Sequence, residues 1–73
     1  MTRDEFRSKF AEIVEVPPNS LIDETPLDTL VWWDSVAMVS FIALADEHAG
    51  TQLSARQLRE CNSVGDLLSA AKV

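Results

Sequence analysis

The tripeptide Asp34-Ser35-Val36, set just ahead of a long apolar run, puts a hydroxyl at the start of a predicted helix. A serine there reads as a point of attachment rather than as a catalyst. A nucleophilic serine needs an adjacent base, and the single histidine, His48, lies well down the same helix, with no second histidine or metal-ligating cluster in the chain. The opening turn of a helix carries unpaired amides and the positive end of the dipole, which favour an anion by roughly 0.3–1 kcal/mol at an exposed site. A phosphodiester on the Ser35 oxygen would be held in that field. Asp34 opposes it as a neighbouring negative charge, and could instead cap the helix or help a modifying enzyme orient its metal and the hydroxyl. The plainer reading keeps Asp34-Ser35 as a capping pair, since such residues commonly open helices.

Four helices are predicted to position that serine. Thr2 and Glu5 have the spacing of a capping box, and Phe6, Phe10, Ile13 and Val14 repeat at helical spacing, so the first helix is expected over about residues 3–16. Pro17-Pro18 removes two amide donors and ends it at Val16. Residues 17–33 make a connection longer than most compact domains use. Leu21, Ile22, Leu27, Leu30 and Val31 predict an ordered loop anchored across the helix ends, interrupted at Thr25-Pro26, with a single helical turn starting at Asp28-Thr29. The second helix is expected over about 35–49, with Asp34 as N-cap and Gly50 as a left-handed C-cap residue. Val36, Val39, Ile42 and Ala43 mark one face of it, and Met38, Phe41 and Ala45 continue around. So broad an apolar arc makes this the central helix. Leu53 and Leu58 bracket a short third helix over about 55–60. Asn62 or Ser63 caps a fourth, over about 63–72, on which Val64, Leu67, Leu68 and Ala71 face inward. With no alternating strand pattern and no internal repeat, the chain is expected to be all-α, a single domain over residues 1–73.

Seventy-three residues lie near the lower size at which a core suffices without staples. An apolar fraction of 47% argues against disorder. A net charge of −6 and a pI near 4.4 argue against nucleic acid and against an anionic membrane surface, since both would repel the chain. A basic partner surface would be attracted, with an effect on encounter that salt weakens. The acidity is uneven: residues 1–50 carry −7 and residues 51–73 carry +1. One cysteine, Cys61, allows neither an internal disulfide nor a cysteine metal site and reads as a small, partly buried apolar residue. The charged start, Met1-Thr2-Arg3-Asp4-Glu5, lacks the apolar stretch of a signal peptide, and no segment approaches the ~20 apolar residues of a membrane span. A standalone cytoplasmic protein is therefore expected.

Asp34-Ser35-Val36, with the run from Val39 to Glu47, resembles the Asp-Ser-Leu segment of acyl carrier proteins. Glu47-His48-Ala49-Gly50-Thr51-Gln52-Leu53 is similar to that family's Glu-x-Phe-Gly stretch, and Asn62-Ser63-Val64-Gly65-Asp66-Leu67 to its Thr-Val-x-Asp-Leu start of the last helix. The likeness covers essentially the whole chain. It implies a four-helix acyl-carrier-like bundle with a long ordered loop between the first two helices and a short third helix. It also implies that Ser35 receives a covalent 4'-phosphopantetheine from coenzyme A, installed by a phosphopantetheinyl transferase. The arm's thiol would hold an acyl or aminoacyl group as a thioester, presented to acyl-loading and acyl-transfer enzymes by a monomeric, non-catalytic carrier.

Three departures bear on partners. Trp32-Trp33 stand where the family has a Leu-Gly-x pattern before the aspartate; Ala37 and Ser40 replace acids common on the second helix; and Arg56 and Arg59 make the third helix positive where fatty-acid carriers are often acidic. Together they favour a specialised carrier serving a dedicated polyketide, peptide, lipid or sugar-acylation pathway. The residues expected to meet the modifying enzyme or partners are Asp34, Val36, Met38, Trp33, Asp46, Glu47, Arg56 and Arg59. Trp33 reads either as a loop anchor or as a border of the arm, and Met38 either as core or as an adaptable contact. Small and branched residues between the helices (Ala43, Val39, Val64, Leu68) would admit a short acyl chain. A second class of function is a helical interaction module that docks a partner through the apolar arc of the second helix. A small hydrolase is excluded by the missing base and the lack of an enclosed site.

Overall fold

A computed structural model describes residues 2–73. Among them the regular elements are α1 (Arg3–Ile13), α2 (Ser35–Ala49), α3 (Ala55–Arg59) and α4 (Val64–Ala70), with tight single turns at Pro18–Ser20 and Leu27–Thr29 in the long connection. Each helix opens on a side-chain oxygen. Thr2, Ser54 and Ser63 form reciprocal capping boxes with Glu5, Gln57 and Asp66, and Asp34 caps α2 by accepting from the Ala37 amide at 2.9 Å. α2 ends on Gly50 at φ 62, the left-handed conformation that costs a glycine nothing.

The core gathers Phe6, Phe10, Phe41, Leu58, Leu67, Leu68, Val14 and Val64, all fully enclosed. Three rings meet edge to face at its centre, Phe41 lying 5.5 Å from Phe6 and 5.6 Å from Phe10. α2 packs against α1 and α3, and α1 packs against α4.

Two sequence expectations need correcting. α1 stops at Ile13 rather than at Val16. Its end is a Schellman turn: the Val16 amide reaches the Ala11 carbonyl at 3.0 Å, the Glu15 amide reaches Glu12, and Glu15 takes φ 56. This turn, not the prolines, ends the helix, just after Val14 has followed Phe6 and Phe10 into the core along one helix face. The face of α2 is also rotated from the one expected. Ala37, Phe41 and Ala45 point inward, whereas Val36 and Val39 are 72% and 66% exposed and Ala43 is exposed. The aromatic cluster claims Phe41, and alanines one turn to either side let α2 approach closely. Val39 and Ala43 therefore do not line an interior space for an acyl chain.

The long connection is fastened from both sides. Asp23 accepts from Arg7 at 2.6 Å and from Arg3 at 3.0 Å on α1. Its backbone carbonyl accepts the Gly65 amide at 2.8 Å, Thr25 accepts from Val64 at 3.0 Å, and Leu27 donates to Asn62 at 2.9 Å. The loop is thus laid along the start of α4 by three backbone bonds. Arg3 also donates to the Val73 carbonyl at 2.7 Å, bringing the start of α1 beside residue 73.

Candidate functional site

Ser35 is the first residue of α2 and is exposed. The chain arrives through two close turns, Trp33 N–H to Leu30 carbonyl at 3.1 Å and Asp34 N–H to Trp32 carbonyl at 3.0 Å. They send the two tryptophans in opposite directions. Trp33 packs inward, edge to face with Phe10 at 5.4 Å and Phe41 at 6.3 Å, while Trp32 stays 53% exposed. Asp34 spends one carboxylate oxygen on the Ala37 amide, and the Ser35 hydroxyl makes no hydrogen bond among the described residues.

A groove of about 280 Å³ opens beside this point, with Ile13, Glu15, Trp32, Asp34, Val36 and Ser40 on its walls. It lies between the end of α1 and the start of α2. A second, of about 410 Å³, runs along the other flank of α2 past Val39, Ile42, Ala43, Asp46, Gln52 and Leu53.

The remaining residues expected at the site are spread out. Met38 is half-buried against the core, which leaves only part of it for a partner. Asp46 borders the second groove, and Glu47 is exposed beside His48 in the last turn of α2, their side chains 3.9 Å apart. Arg56 and Arg59 are exposed on α3, Arg56 lying 4.0 Å from Glu60, a surface pairing of little energetic weight. Of the residues named from sequence, Asp34 and Val36 flank Ser35 directly. Glu15 at the groove was not foreseen, because its placement depends on a left-handed turn that no glycine announces.

The Ser35 hydroxyl is accessible and unbonded at the amide-bearing start of α2, and amphipathic grooves flank it, so the residues present fit a phosphopantetheine group. Cys61 does not compete with the arm's thiol: burial, with Asp66 and Glu60 nearby, pushes its own thiol up, away from the reactive thiolate.

The model of a family described as the phosphopantetheine attachment site matches residues 4–71. The chain belongs to that family. It is a phosphopantetheine-bearing carrier domain and not an enzyme, and the all-helical bundle is the scaffold that presents the prosthetic group. Comparison with curated proteins and with solved structures gave no match. Carrier domains of this kind meet a phosphopantetheinyl transferase and further enzymes. No helix among the described residues is long and apolar enough to cross a membrane.

Proposed function

We propose that Ser35 is the attachment residue, and that the domain carries an acyl or aminoacyl group to partner enzymes of a specialised biosynthetic pathway. A comparison of the seven serines carries this reading. Ser54 and Ser63 are engaged as caps, and Ser20 donates to the Pro17 carbonyl at 2.7 Å. Ser8, Ser40 and Ser69 stand within helices, past the opening residue. Ser35 alone combines exposure, an unbonded hydroxyl and the first position of a helix.

On transfer, the Ser35 oxygen attacks the pyrophosphate phosphorus of coenzyme A that bears the pantetheine. The new oxygen–phosphorus bond replaces the one to the nucleotide, which leaves as adenosine bisphosphate, and the serine proton passes to a base of the transferase. The amides at the start of α2 that Asp34 leaves free would favour the charge of the attached phosphodiester. The group supplies a terminal thiol on which cargo is held as a thioester. Asp34 keeps the helix end formed while the serine stays free. Val36 and Val39, exposed on α2 beyond the serine, offer partners an apolar contact, which is the pattern of a docking face rather than of a core. Asp34, Trp33, Met38, Asp46, Glu47, Arg56 and Arg59 are proposed to contribute at its margins. A monomer in the cytoplasm is consistent with this role.

Incubation with coenzyme A and a promiscuous phosphopantetheinyl transferase should add one arm, seen by intact-protein mass spectrometry. Ser35→Ala should abolish the addition and Ser40→Ala should not. Modification of the Ser35→Ala protein, or none of the wild type across several transferases, would overturn the assignment.

A further inference from the structure

We propose that the groove between the end of α1 and the start of α2 is the resting site of the domain's own pantetheine arm, with Trp32 as its apolar wall and Glu15 as its hydrogen-bond acceptor. The inference rests on Ser35 as the attachment residue.

The tether supplies the first argument. Asp34 and Val36, the residues on either side of Ser35, both border this groove, so an arm leaving the serine starts at its rim. The second groove begins at Val39, a full helical turn further along α2.

Chemistry supplies the second. A pantetheine arm is amphipathic: paired methyls and short methylene runs alternate with a hydroxyl and two amides, each amide an N–H donor. The groove answers in kind. Trp32, Val36 and Ile13 give apolar surface, while the Glu15 carboxylate and the Ser40 hydroxyl can accept from those N–H groups. No cation lines it, so a neutral, donor-bearing ligand suits it better than an anion. At about 280 Å³ it sits at the lower edge of the roughly 300–1,000 Å³ of small-ligand pockets, room for most of an arm without a bulky cargo.

The backbone supplies the third. Glu15 holds φ 56, a left-handed conformation that is unfavourable for any residue with a Cβ and free for glycine. What glycine could not provide is a carboxylate, and the left-handed turn sets the residue that bears it on the groove wall. Trp32 likewise leaves half its surface in water beside the groove, area that a docked arm would cover.

The test uses isotope-labelled protein carrying the arm, verified by its mass and by loss of modification in Ser35→Ala. Nuclear Overhauser contacts are expected between the paired methyls of the arm and the Trp32 indole. The Trp32 indole N–H signal should shift on attachment while that of Trp33, half-buried edge to face against Phe10 and Phe41, stays put. Trp32→Ala should remove the contacts and speed the reaction of the terminal thiol with a disulfide reagent roughly fivefold, the factor that loss of about 1 kcal/mol of aromatic contact gives. Glu15→Gln, which keeps the shape and an acceptor but not the charge, should raise that rate by less. Two outcomes overturn the proposal while leaving Ser35 as the attachment residue: contacts to Ile42 and Leu53 of the opposite groove, or an attached arm that touches neither side. A protein that never gains the arm overturns both.

Discussion

Gly65 is the place where steric reasoning and helix propensity disagree about sign. It stands in the first turn of α4 with its amide donating to the Asp23 carbonyl at 2.8 Å. A Cβ at this position would lie 3.0 Å from the Asp23 Cβ and 3.0 Å from that carbonyl oxygen. Propensity alone says that Gly65→Ala gains up to about 1 kcal/mol. Against it, the neighbour that must yield is backbone, already held by Arg3, Arg7 and the adjacent Thr25–Val64 bond. Overpacking of this kind costs about 1–3 kcal/mol, and weakening the amide bond about 1 kcal/mol more. The net expectation is a loss of about 1–3 kcal/mol from a domain of this length whose whole stability is on the order of 4–11 kcal/mol. Urea unfolding followed by tryptophan fluorescence would measure it, with a fall in Tm of roughly 4–8 °C for each kcal/mol as a check. Gly50→Ala is the control: nothing lies within 4 Å of its Cβ position, so only the left-handed backbone is strained, at about 1 kcal/mol. A Gly65→Ala protein as stable as the wild type, or more so, would refute the claim that close approach of the loop dictates this glycine.

Asp34→Ala should cost about 1 kcal/mol in thermal unfolding by freeing the Ala37 amide, and Asp34→Ser should recover most of it. Glu15→Gly should stabilise the fold by about 1 kcal/mol in the same assay, by relieving the left-handed turn. Acid should act through Asp23, whose carboxyl is held below the usual carboxylate range by the Arg7 guanidinium first and then by Arg3. Because the folded value is lowered, its contribution is fully present above the ordinary carboxylate range and disappears as pH falls through the lowered value. Asp23→Asn should therefore lose stability less steeply than the wild type on acidification, read as unfolding free energy against pH at fixed salt.

Local signals carried much of the fold. The capping residues Thr2, Asp34 and Ser63 and the stop at Gly50 were legible because each acts within four residues of itself. The orientation of α2 was not. A helix apolar all round offers periodicity no preferred face, and ranking valine above alanine picks Val36 and Val39, the residues that face solvent. Only the ring cluster contributed by α1 decides for Phe41. The end of α1 hid behind Pro17-Pro18, since a Schellman turn on glutamate has no glycine to mark it. Asp23 was illegible for a different reason: its partners on α1 and α4 are far away in sequence. At the site, the serine and its cap could be read directly, while the division of labour between Trp32 and Trp33 depends on two turns that put one outside and one inside.

The bond from the Arg3 guanidinium to the Val73 carbonyl sets residues 3 and 73 side by side. A domain whose first and last described segments meet in this way can be circularly permuted: a short bridge joins residues 3 and 73, and new ends are opened in the exposed turn at Pro18–Ser20. By the same geometry the whole unit can be spliced into a surface loop of another protein, since it demands no wide gap in its host.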